Sequence, residues 1–271
     1  MKQKKVIFRD TEIVEFCRAT HDTNVIHEPL FMANLGKRVI VPGMFALSQT
    51  VNMSGDFLKN HARSLKVLFN SLLSSGDFVT LSTSACNCNP IEIRLSAFNC
   101  KDTLTSKEEY TRLSVKEAEF NTEFMGILQR LEVTEEQVVT FLQLIRSEDK
   151  DVGHFLFALS YASQALFRCI SNPETGIEKE IEETITRNSG ISPFYHTLEI
   201  IIPSPFPVFN PVGAFDYFIH FEREKAGKLY GAFVRCEHQG LLIFQSHYKL
   251  VGIADRIILR MAKEIKHRQA V

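Results

Sequence analysis

The sequence lacks an excess of either charge, a long apolar run and any C-x-x-C pair. Its 31 basic and 32 acidic residues leave a formal net charge of −1. A general nucleic-acid binder needs a basic field, so that class is excluded. No apolar run reaches the roughly eighteen residues that a membrane span requires, so no span is expected. The basic start Met1-Lys2-Gln3-Lys4-Lys5 precedes Val6-Ile7-Phe8-Arg9-Asp10, which is too short and too soon charged for a signal peptide. The six cysteines (17, 86, 88, 100, 169 and 236) are scattered, and the expectation is free thiols in a reducing cytoplasm. Cys86 and Cys88 with His61 fit no common zinc spacing, so neither metal nor cofactor is expected.

Hydrophobic residues make up 45% of the 271 positions, enough for one large or two small globular domains. Residues 11–20 read as a helix with Ile13, Val14, Phe16 and Cys17 on its apolar face and Asp10 or Thr11 as its cap. Residues 21–42 look irregular. Residues 43–60 read as one buried helix, on Met44, Leu47, Val51, Phe57 and Leu58. Strands follow at 65–73, 78–85, 91–99 and 109–115, with turns at Ser74-Ser75-Gly76-Asp77, Asn89-Pro90 and Lys101-Asp102.

Residues 118–170 read as a second helical region. Thr134-Glu135-Glu136-Gln137 is a capping box that opens a helix to about Arg146, and Gly153 opens a long apolar helix. Residues 173–190 read as an acidic surface insertion. Strands return at 197–202, 215–222, 229–236 and 241–251, and an amphipathic tail helix covers 253–266.

The two halves match in order. Phe45-Ala46-Leu47-Ser48 returns as Phe157-Ala158-Leu159-Ser160, Gly76-Asp77-Phe78 as Gly213-Ala214-Phe215, and Ala97-Phe98 as Ala232-Phe233. Tyr110-Thr111-Arg112-Leu113 has its counterpart in Tyr248-Lys249-Leu250. A diverged repeat is expected, with units at 1–117 and 118–271. Between helix and helix the first unit holds a long loop with Asp22, Asn24 and His27, and the second only a short connection.

The stretch 11–115 resembles the MaoC-like, (R)-specific enoyl-CoA hydratases. Their loop has the form G-D-x-N-P-[IL]-H and leads to a V-H-G-M-like entry into the central helix. Here Asp22, Asn24, Ile26, His27, Val41, Gly43 and Met44 match, while His21, Val25 and Pro42 stand where that family often has Gly, Pro and His. The resemblance implies an α+β double hotdog, in which two antiparallel sheets wrap central helices and pair edge to edge within the chain. It implies a cytoplasmic lyase that interconverts trans-2-enoyl and (R)-3-hydroxyacyl thioesters of coenzyme A or acyl carrier protein. Asp22 and His27 would act as acid and base. The N–H of Gly43, at a helix N-terminus, would polarise the thioester carbonyl.

Asn24 would fix the loop, and Met44 would either line the substrate site or belong to the core. Lys37, Arg38, Arg63 and Lys66 would either meet the carrier's phosphates or form a solvated face. His154 and His196 are expected at ordinary surface or helix-start positions. A homodimer of the paired unit stays open. Two alternatives remain: a hotdog thioesterase, which needs a carboxylate near its central helix, and a non-catalytic acyl-thioester-binding protein.

Overall fold

Our computed structural model describes residues 2–34, 36–53, 55–60, 64–69, 73–86, 92–99, 111–114, 126–170, 191–223 and 229–254. The chain opens with strand β1 (Lys2–Ile7) and helix α1 (Asp10–Thr20). The helix is capped from inside: Glu12 accepts from the N–H of Arg9, which holds the N-cap position expected at Asp10 or Thr11. A single 3-10 turn (Val25–His27) and the short α2 (Pro29–Asn34) follow, so the segment 21–42 is more ordered than its pattern suggests.

The expected helix 43–60 is two helices, α3 (Gly43–Asn52) and α4 (Gly55–Asn60), with Met53 as the C-cap of α3. Strands β2 (Ser64–Phe69), β3 (Phe78–Cys86), β4 (Glu92–Asn99) and β5 (Thr111–Ser114) complete the first half. The second half opens with strand β6 (Ile127–Val133), where a helical region was expected. Then come α5 (Glu135–Ile145), α6 (Lys150–Ile170), β7 (Ile191–Ile201), β8 (Gly213–Arg223), β9 (Leu229–His238) and β10 (Leu241–Ala254).

The capping box of α5 forms as expected, with Gln137 N–H on Thr134 Oγ1 and Thr134 N–H on Gln137 Oε1. Gly153 lies inside α6 rather than at its start. A Cβ there would meet Leu142 Cδ2 at 2.4 Å, so the glycine serves the close packing of α5 on α6. Ile253 and Ala254 extend β10 instead of starting a helix. The acidic insertion and the rest of the tail lie outside the described residues.

All strand pairs are antiparallel. One sheet has the order β1-β3-β4 and the other β5-β2-β7-β10-β9-β8-β6. Because β4 also lies beside β5, the strand order reads alike from both ends. It runs β1-β3-β4-β5-β2, then β7-β10-β9-β8-β6. The halves join edge to edge through β2 and β7, in the register Ser64↔Ile201 to Leu68↔Thr197.

Helices α3 and α6 form the centre. Every residue from Met44 to Val51 and from Val152 to Leu166 is buried, as expected of helices that are enclosed on all sides. The hydroxyls of Ser48 and Ser160 are 3.2 Å apart, and these two serines hold equivalent places in the repeat. They mark a pseudo-two-fold axis. Phenylalanines repeat about it: Phe45 stacks on Phe16 with ring centroids 4.6 Å apart, Phe157 meets Phe141 at 5.3 Å, and Phe16 meets Phe141 at 5.7 Å across the axis.

Larger side chains at the axis are expected to push the halves apart. Ser48→Val should destabilise the protein by about 2 kcal/mol, because added carbon overpacks a closed contact and strips a buried hydroxyl of its partner. Urea unfolding measures this, and a change below the error of the method would remove the axis as a tight contact.

Candidate functional site

The loop after α1 begins with a forced turn. Thr20 Oγ1 donates to the carbonyl of Phe16, and His21 adopts a left-handed conformation, φ 52°. The N–H of Asp22 then closes back on Cys17 at 2.9 Å, a Schellman-type stop. This is the position where a glycine is customary; histidine tolerates it better than most residues. Burial first, and then the nearby Arg168, holds the His21 ring below the ordinary histidine pKa.

Two nested turns carry the chain onward. Asp22 Oδ1 accepts from the N–H of Asn24 at 3.0 Å, and Asn24 Oδ1 accepts from the N–H of Ile26 at 3.4 Å. Asn24 therefore acts on the loop backbone, as its residue type suggests. The N–H of His27 returns to the carbonyl of Asn24.

Ile40 anchors the far end. Its N–H donates to the carbonyl of Ile26 at 3.1 Å, and its own carbonyl accepts from His27 Nδ1 at 2.6 Å. A carbonyl can only accept, so His27 carries a proton on Nδ1 and its neutral ring presents an unprotonated Nε2. That nitrogen lies 3.7 Å from Asp22 Oδ2, with the two side chains 9% and 12% exposed. The gap is too long for a direct hydrogen bond and suits a shared water.

Beyond Ile40, Val41 bonds to the carbonyl of Leu73, and Pro42 caps α3. The first helical bonds come from Phe45 and Ala46 N–H to the Pro42 carbonyl, so Gly43 stands ahead of the helical ladder. Gly43 is the only incompletely buried residue between Val39 and Val51. A Cβ there would lie 3.0 Å from the Phe69 ring. Met44 is 3% exposed and sits in the core.

Two of the four basic candidates are engaged in the protein itself. Arg38 Nη1 pairs with Asp77 at 2.7 Å and bonds the Ser75 carbonyl, and Lys66 pairs with Glu199 at 2.6 Å. Arg63 lies outside the described residues. His154 is buried in α6 with Nδ1 on the Phe209 carbonyl, not at the surface, and His196 lies in β7. Cys17 is no nucleophile, since burial and the charge of Asp22 push its thiol far up. Cys17, Cys169 and Cys236 are in no disulfide. Among the described residues, no three His, Cys, Asp or Glu gather to hold a metal, and no helix is long and apolar enough to cross a membrane.

Sequence reasoning missed the support from the other half. Asn52 Nδ2 donates to the carbonyl of Arg146, which has φ 53° at the end of α5. At the equivalent place, the Gln164 amide donates to the carbonyl of His21 and accepts from Arg168 Nε at 2.7 Å, in the orientation that satisfies both of its ends. Tyr161 lies under the His21 ring, centroids 5.7 Å apart. The only signal available was the constant spacing that relates Ser48 to Ser160, which also relates Asn52 to Gln164.

The fold is shared with solved structures. A bifunctional dehydratase-cyclase domain in ambruticin biosynthesis matches with a TM-score of 0.56 at 13% identity over 96% of this chain and 92% of that one. A MaoC-like dehydratase from Phytophthora capsici matches at 0.55 and 10%, over 94% and 95%. Another MaoC-like dehydratase matches at 0.54 and 10%, over 92% and 96%. No protein-family profile matches the sequence, and no curated protein matches it significantly. The chain therefore shares its fold, a double hotdog, with these dehydratases.

Two measurements check the loop. His21→Val should cost about 1–2 kcal/mol in urea unfolding, because a β-branched residue cannot hold this conformation, while His21→Gly should be tolerated. Nitrogen-15 spectra should find the neutral His27 ring protonated at Nδ1; the opposite tautomer would break the bond to Ile40.

Proposed function

We propose that this double hotdog is a hydratase or dehydratase that interconverts trans-2-enoyl and (R)-3-hydroxyacyl thioesters. One observation carries the reading: Asp22 Oδ2 and His27 Nε2 face each other across 3.7 Å. With Asp22 as a carboxylate and His27 neutral, both facing atoms are acceptors. A water held between them donates both hydrogens to the pair and aims a lone pair outward, at the β-carbon of the substrate. As the C–O bond forms, one of the two takes the water proton. The proton is then returned to the α-carbon, so the net change is addition of water across the double bond.

Negative charge builds on the thioester oxygen during attack. The N–H of Gly43 would meet it, at a helix end whose dipole favours that charge, a contribution of roughly 3 kcal/mol. The absence of a side chain lets the acyl group approach the backbone, since a Cβ would crowd Phe69. Asn24 keeps Asp22 and His27 in register. The carrier would be coenzyme A or acyl carrier protein. The thioesterase alternative is disfavoured, because α3 carries no carboxylate from Gly43 to Asn52.

Enoyl thioesters of several lengths, offered on both carriers, test the reading. Turnover is expected on at least one, and Asp22→Asn or His27→Ala should lower it by about a hundredfold or more, Asp22→Asn with little change in the unfolding midpoint. Absence of turnover across the panel, or variants as active as the parent, would falsify it.

A further inference from the structure

Strand β2 ends beside the start of α3. Along it Leu65, Val67 and Phe69 share the inner face by strand alternation. Leu65 and Val67 are buried, whereas Phe69 is only half-buried. The inner row of the strand therefore runs out of the core at Phe69, and there it meets Gly43. Phe69 Cε1, Cδ1 and Cζ lie 3.0, 3.3 and 3.6 Å from the place that a Cβ of Gly43 would take.

Both sides of this contact are fixed. β2 lies between β5 and β7, and Phe69 itself is in register with Thr111. The entry to α3 is tied to the segment after β2 by two bonds. Val41 N–H donates to the Leu73 carbonyl and Ser75 N–H to the Val39 carbonyl, each at 2.8 Å. Arg38 holds the same segment through Asp77 and the Ser75 carbonyl. Backbone thus sets the distance between the ring and Gly43, and only a rotation of the Phe69 side chain would change it.

The second half shows a sealed version of the helix start. The spacing that relates Ser48 to Ser160 also relates Gly43 to Phe155. Phe155 is fully buried, and Phe206 lies against it with ring centroids 5.3 Å apart. Two rings close the place there. In the first half a single ring stands beside a bare and partly accessible backbone.

We propose that Phe69 selects acyl chains that are unbranched at the α-carbon, its ring standing against Gly43 where an α-methyl group would lie. The inference rests on the hydratase reading above, in which the thioester oxygen meets the N–H of Gly43. A carbonyl oxygen at hydrogen-bond distance from that nitrogen brings its own α-carbon to within roughly 5 Å of it. A substituent on the α-carbon then contends with the Phe69 ring for the side of Gly43 that carries no side chain. Hydrogen fits beside the ring, and a methyl group collides with it.

The test compares a trans-2-enoyl thioester with its 2-methyl homologue, at the chain length and on the carrier that the protein turns over best. One methyl group in an apolar site is worth about tenfold or more in kcat/KM, and the parent should favour the unbranched substrate by at least that factor. Because the methyl group also alters intrinsic reactivity, the decisive quantity is the branched-to-unbranched ratio of kcat/KM. Phe69→Ala should raise that ratio by about tenfold. Loss of packing alone would lower both values and leave the ratio where it was. If Phe69→Ala fails to fold, Phe69→Leu should move the ratio in the same direction. An unchanged ratio in the variant that folds, or a parent that converts both substrates alike, overturns the inference and leaves the hydratase reading standing. A parent that converts neither removes both.

Discussion

The contact of Ser48 with Ser160 sets how close the two central helices come. An isologous contact places the same residue on both sides, so any side chain there meets its own equivalent and its bulk counts twice. Serine is small enough for the helices to meet, and one hydroxyl donates to the other in a buried site. Once the helices are at that distance, other features follow. Phe16 and Phe141 reach each other across the axis, β2 falls beside β7, and the amides of Asn52 and Gln164 reach the opposite half.

The symmetry is broken where chemistry is available. Between α1 and α3 lie residues 21–42; between α5 and α6 lie only residues 146–149. The short connection spends its polar groups on structure. Ser147 Oγ bonds Asn52 Oδ1 and the Asp149 carbonyl, and Asp149 caps α6 through the N–H groups of Asp151 and Val152. The long connection leaves Asp22 Oδ2 and His27 Nε2 facing one another. The exchange of Tyr161 for Gln49 is the second break: the Gln49 amide bonds Leu144 and Lys4 where the Tyr161 hydroxyl bonds Glu132. Duplication thus keeps one scaffold while its polar groups diverge.

Much of this was legible in the sequence. The repeat could be read because Phe, Ala and Ser recur in the buried helix, where packing restricts choice. The Asp22, Asn24 and His27 loop could be read because nested turns are local, each bond spanning two or three residues. What escaped was mostly non-local or at an edge. β1 carries Lys2, Lys4 and Lys5, a basic start without the apolar alternation of a strand, yet lysine suits an exposed edge strand. β6 exposes Ile127 and Leu128 side by side, which spoils the alternation of a strand. The anchor at Ile40 lies thirteen residues from His27, and no spacing rule connects them. The split near Met53 is marked by Ser54-Gly55, but the apolar spacing runs on through it to Phe57 and Leu58.

The partnership of the halves also bears on why non-glycine residues persist at His21 and Arg146. A left-handed backbone costs such residues of order 1 kcal/mol, and glycine would remove that cost. Glycine would also free the unfolded chain and loosen the turn. Here each strained carbonyl is held from the opposite half, by Gln164 on His21 and by Asn52 on Arg146. The ring of His21 adds a contact with Tyr161 that glycine could not make. The bend that presents Asp22 is therefore fixed by residues of the half that has lost the equivalent loop. A separated first half would keep the sequence of the loop but lose Gln164, Tyr161 and Phe141 at once. The acid and the imidazole would then depend on local turns alone, which are too weak to hold a 3.7 Å geometry against solvent.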